Sequence, residues 1–207
     1  MRSAGRQGEL FSSADLPMGP APAPLPPPLL RGQLQDWQGR IGAFQGPLFA
    51  AAAAGTPRPG GQGVLLAAAE EPTAAGQAES LDPLALQPQS LSFWRWPRPA
   101  HRGAALYLVT DRPVDLPTPL VLYVGETGRA DRRWKGEHDC KAYLAAYSEA
   151  LRRAGLEARL SIRFWCDVPA ATRPRRALEQ ALIRRWLPPF NKETRGRWAT
   201  PFTADPA

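Results

Sequence analysis

Leu30, Leu34, Trp37, Ile41 and Phe44 recur at steps of four, three, four and three. That spacing lays one apolar stripe along a helix, so residues 29–45 are expected to form a short amphipathic helix. Gly32, Gly39 and Gly42 weaken it, which implies that it forms only when docked on another surface. Farther on, ALYLVT (105–110) and PLVLYVG (119–125) read as two hairpin strands joined by a Pro-rich loop. In ARLSIRFW, Leu160, Ile162 and Phe164 alternate with Arg159, Ser161 and Arg163, which predicts a third, half-buried strand. A short helix is expected over 129–136 and a longer one over 138–154, with Leu144, Tyr147 and Leu151 inward and Gly155 at its end. Thr172 as N-cap and Pro174 in the first turn predict a last helix running to Trp186, stopped by Pro188 and Pro189. The expected fold is α/β (α+β), with a small, three-stranded, mostly antiparallel sheet flanked by helices.

Composition divides the chain. Of its 24 prolines, 15 fall in residues 1–100. Residues 12–28 and 55–90 are rich in Ala, Pro, Gly and Gln and poor in periodic apolar positions, so they cannot bury enough surface to offset ordering entropy. Residues 1–91 are therefore expected to be a largely disordered arm carrying the one helix, and residues 92–207 the folded domain with a basic C-terminal tail. Charge divides the same way, because residues 1–100 are neutral and residues 101–207 carry the whole net charge of +7. A basic half beside a neutral one points to an anionic partner, phosphate above all, or to a well-solvated surface. Cys140 and Cys166 are too few for a disulfide framework, and with only two His a zinc cage is excluded. No apolar run approaches the roughly 20 residues of a spanning helix. A soluble, cytoplasmic protein is expected, with no membrane partner.

The chemistry-bearing residues fall in a fixed order. ALY ends at Tyr107, YVG runs from Tyr123 to Gly125, Arg133 follows that glycine by eight positions, and Glu179 precedes Asn191 by twelve. In this order and on these elements they resemble the core of the GIY-YIG nuclease family, over roughly residues 104–193. The resemblance implies a metal-dependent endonuclease that hydrolyses DNA phosphodiester bonds, with a place in DNA repair or recombination. Its alternative is a catalytically inactive nucleic-acid-binding module with the same fold. Phosphodiester cleavage requires an activated water, a Lewis acid and stabilisation of developing charge. Mg²⁺ or Mn²⁺ takes oxygen ligands and keeps several waters, so Glu179 alone could anchor it. Arg133 offers a planar, permanently charged fork to phosphate. Tyr107 and Tyr123 stand near the attacking water, either one eligible as base, and Asn191 holds the substrate or the site through hydrogen bonds.

Three departures stand out. Ala105 replaces the first motif's glycine. Glu126 takes a place where many relatives carry lysine. His138 resembles a histidine that some relatives carry after the arginine, but falls one position late. Arg132, Lys135, Arg176, Lys192, Arg195, Arg197 and Trp198, with Gly125 at the strand end, form the expected nucleic-acid contacts, since Arg with interleaved Trp suits a phosphate backbone and unstacked bases. Finally, QGELF (Gln7–Phe11) and QGPLF (Gln45–Phe49) are similar to the short motif by which bacterial replication and repair proteins dock on the sliding clamp.

Overall fold

The computed structural model describes residues 29–54, 73–92, 101–131 and 139–201. Two apolar strands open the domain as expected: β2 (Ala105–Asp111) and β3 (Leu120–Thr127) form an antiparallel hairpin. β4 (Ser161–Trp165) pairs with the other side of β2, and its period-two burial keeps Ile162 and Phe164 inside. A two-residue strand, β1 (Pro88–Gln89), pairs with β4, so the sheet has four strands in the order β1-β4-β2-β3 and every pairing is antiparallel. The expected three strands become four because β1 is too short for alternation to reveal it.

Helices cover both faces. α4 (Thr172–Trp186) packs Leu178, Leu182 and Ile183 against Leu106, Leu108, Val121 and Val124. α3 (Asp139–Arg153) turns Leu144, Tyr147 and Leu151 toward Tyr107, Val109 and Ile162 on the opposite face, and Gly155 follows its end at φ 68°. Thr172 is the first helical residue rather than the cap, and Ala171 before it makes no side-chain capping bond. Leu187, at φ 44°, ends α4 in the left-handed region ahead of the two prolines.

The segment upstream of Ser92 shares this core. The apolar stripe does form a helix, α1 (Arg31–Ala53), which runs past the expected end at 45 and through Pro47. Leu34, Trp37 and Ile41 are buried in the α3-side core, while Leu30 stays exposed. Within the stretch expected to be disordered, residues 73–92 contain α2 (Ala74–Ser80), a 3₁₀ turn (Pro83–Ala85) and β1. Short periodic signals there are weak, and packing of Ala78 and Leu81 against α4 supplies what propensity does not. The helix expected over 129–136 lies mostly outside the described residues. No helix among the described residues is long and apolar enough to cross a membrane.

β3 is an edge strand, and its outward backbone is satisfied by side chains in place of a fifth strand. Gln45 Oε1 accepts from Val121 N (2.7 Å), and its Nε2 donates to Val121 O (3.0 Å) and Trp186 O (2.8 Å). Asn191 does the same farther along β3, accepting from Val124 N (2.9 Å) and donating to Val124 O (2.8 Å). Phe190 N donates to Leu122 O between them. An amide side chain carries one acceptor and one donor group at the spacing of a peptide unit, so each imitates a neighbouring strand and closes the edge against strangers.

This use of Gln45 overturns the second clamp-like pentapeptide. Gln45 is 0% exposed with its amide fully engaged, and Phe49 is buried against the Trp186 ring at 4.6 Å. Gln45–Phe49 is helical core, not an extended docking strand. Gln7–Phe11 lies outside the described residues.

Candidate active site

The hairpin and α4 bring part of the expected constellation together. Tyr107 sits opposite Gly125 across the β2–β3 ladder. A side chain at 125 would collide with the Tyr107 ring and hydroxyl and come within 2.8 Å of the Tyr123 ring, so glycine is required there by close approach. The two phenol rings lie 6.0 Å apart at 28°, and Tyr107 also faces Phe164 at 6.0 Å. Tyr107 is fully buried, whereas Tyr123 is half-buried.

Tyr123 lines a cavity of about 160 Å³ with Tyr143, Glu179, Asn191 and Glu193. Glu179 reaches it because Leu178 and Leu182 fix the helix phase with their burial. Its carboxyl is pushed up to about 7, first by desolvation and then by repulsion from Glu126 and Glu193, against a hydrogen bond from the Glu126 backbone N–H and the positive charge of Arg176. Among the described residues, desolvation and repulsion outweigh the one cation that opposes them, Arg176. Among the described residues no three His, Cys, Asp or Glu side chains converge as a cage, so an ion here would rest on Glu179, water and substrate oxygens. Mg²⁺ and Mn²⁺ tolerate such a donor set.

Asn191 is buried, and both ends of its amide are spent on Val124. It fixes the strand between Tyr123 and Gly125. Arg132, Arg133, Lys135 and His138 lie outside the described residues. Arg176, Lys192 and Arg197 are exposed and Arg195 is partly so, with its Nη1 donating to the Tyr143 hydroxyl at 3.3 Å. Trp198 is a correction: it is 6% exposed, donates from Nε1 to Leu187 O at 2.6 Å and packs edge-on against Phe44, so it offers no face to a base. Its polar surroundings in sequence conceal a partner 154 positions away. Arg197 instead stacks over both of those rings, at 5.6 and 5.7 Å.

Sequence reasoning missed Arg175, which is 4% exposed and donates from Nε to Glu126 Oε2 at 2.8 Å. It hides in the basic run RPRR, yet it lies three residues before Leu178 and seven before Leu182, on the inner stripe of α4. That phase is the signal which could have found it. Tyr143 and Glu193 carried no such mark. Compared with family models, with curated proteins and with solved structures, the chain matches none of them.

Proposed function

We propose that this protein is a metal-dependent endonuclease acting on DNA through a GIY-YIG-type site. The observation that carries the reading is the meeting of Tyr123 and the half-buried Glu179 carboxyl on one small cavity, with Tyr107 pressed over Gly125 beside them. Each motif residue has its reason in that meeting. Glycine admits the Tyr107 ring, Asn191 fixes the strand that presents Tyr123, and the phase of α4 delivers Glu179. Glu179 would hold a Mg²⁺ ion, which would supply Lewis acidity to the phosphate oxygens and lower the pKa of bound water. Tyr123, the phenol that lines the cavity, accepts or relays the proton of the attacking water at its Oη, while buried Tyr107 stacks against it and sets its position. A free phenol ionises only near about 10, so the proton moves late or under the pull of nearby cations. Arg133 stabilises the charge that develops on the phosphate, and Arg176, Lys192, Arg195 and Arg197 hold the backbone on either side.

The complete burial of Tyr107 favours a second reading, a binding module that keeps the fold without the chemistry. One experiment separates the two. Plasmid and branched DNA are incubated with Mg²⁺ or Mn²⁺ and wild type, Glu179→Ala or Arg133→Ala, with an RNA duplex as a parallel substrate. Cleavage by wild type alone supports the enzyme. Binding without cleavage by all three supports the module. A panel of flaps, junctions and lesions then tests a role in repair or recombination.

A further inference from the structure

Glu126 occupies a strand-end position facing α4, where Arg175 and Arg176, four and three positions before Glu179, hold its carboxylate. Arg175 cannot leave, because its Nε donates to Glu126 Oε2 at 2.8 Å while its Nη1 donates to the carbonyls of Pro169 (3.2 Å) and Ala170 (2.6 Å). Arg176 is different. Its side chain is 68% exposed and reaches Glu126 Oε1 only at 3.4 Å. The Glu126 carboxylate itself is 16% exposed and thus lies largely out of water's screening. It therefore has one permanent partner and one loose one, and it remains a net repulsive neighbour of Glu179, while its own backbone N–H steadies the Glu179 carboxylate.

We propose that Glu126 is a positioning residue of the cation site: it orients Glu179 through its main chain and, through its carboxylate, supplies a second negative charge that tightens divalent-cation binding, which Arg176 partly cancels. This rests on the reading of Glu179 as the ion's anchor. Arg175 keeps Glu126 from claiming the ion itself, and Arg176 sets how much of its charge the ion feels. Loss of one unit charge a few ångströms away in a partly screened site changes cation affinity by about tenfold. Arg176 also faces solvent where a phosphate could bind, so an anion that draws it off Glu126 would raise the cation affinity further.

The test measures Mn²⁺ binding to the full chain without nucleic acid, by the electron paramagnetic resonance signal of free Mn²⁺ at fixed pH and ionic strength. Wild type should bind one ion and Glu179→Gln should lose it. Glu126→Gln should bind about tenfold more weakly, and Arg176→Gln about threefold more tightly. Arg173→Gln, which removes the same charge from an exposed site on the same turn, should change little. In the Glu126→Gln background, Arg176→Gln should no longer tighten binding. Because Arg176 is exposed, its variant keeps the fold even if Glu126→Gln weakens it by stranding Arg175. Wild-type affinity in a folded Glu126→Gln, tightening by Arg173→Gln equal to that of Arg176→Gln, or tightening that survives in the double variant overturns the inference while leaving the cation site intact. No bound ion in wild type, or an ion retained by Glu179→Gln, overturns the site and the inference with it.

Discussion

A carboxylate sits near each end of the hairpin, Asp111 on β2 itself and Glu179 on the neighbouring α4, and the two are treated oppositely. Asp111, at the end of β2, is 0% exposed and among the described residues has no ion pair, yet its oxygens accept from Tyr147 Oη (2.6 Å), Arg112 N (2.8 Å) and Arg159 N (2.7 Å). Gln38 of α1 donates in turn to the Tyr147 hydroxyl, so a chain of bonds runs from α1 through α3 to β2. Burial still raises the Asp111 carboxyl, but three donors oppose it. Glu179, at the Gly125 end, has one backbone donor and two acidic neighbours. A carboxylate saturated with hydrogen bonds locks a structure, whereas one left short of positive charge is available to bind something. Burial and donor count both separate them: Asp111 is wholly buried with three donors, Glu179 half-buried with one.

The contrast predicts opposite consequences for the two acids. Glu179→Gln should cut cleavage by about a hundredfold or more while leaving the fold intact. The folded-state carboxyl titrates at about 7, above the 4.5 of the free side chain, so the folded state holds its proton more tightly between those values. The stability this provides is fully present below about 4.5 and lost as pH rises through about 7. Glu179→Gln should therefore gain on wild type in thermal unfolding as pH climbs across that window, and an equal difference at pH 4 and pH 8 would contradict the assigned burial and repulsion. Asp111→Ala should do the reverse, costing about 3 kcal/mol in urea denaturation by orphaning three donors, with the cleavage rate of the folded fraction unchanged. Asn191→Ala sits between them. It strands the Val124 amide, so about 2 kcal/mol should vanish along with some cleavage, measured by pairing denaturation with a turnover assay. Tyr147→Phe should cost about 1 kcal/mol and leave turnover alone. Loss of cleavage in that variant would mean that the two ends of the hairpin are coupled.

How much of this could be read from the chain depends on the range of the interactions involved. Period-two and period-3.6 patterns are local, so β2, β3, β4, α3, α4 and the α1 stripe were legible. The convergence of Tyr123, Glu179 and Asn191 on one cavity was legible as well, because their spacing follows from the elements that carry them. Interactions across long separations were not legible. Gln45 reads as the head of a peptide motif until Val121 and Trp186 are seen around it, and Trp198 reads as a tail aromatic until Leu187 and Phe44 enclose it. β1 and α2 are too short to show a period, and composition alone suggested disorder there. Arg175 shows that a basic run can conceal an inward-facing residue, which only helix phase reveals.

The amide stitching along β3 has a consequence for how the protein is made. Gln45 is synthesised before the strand it closes, while Phe190 and Asn191 come long after it. A nascent chain emerging from the ribosome therefore carries a hairpin whose outer rim stays partly unpaired until Phe190 and Asn191 are translated. During that interval α1 can find Val121, but not Trp186 or Trp198. Completion of the turn at residues 188–191 is thus the step that commits β3 and α1 to their final packing.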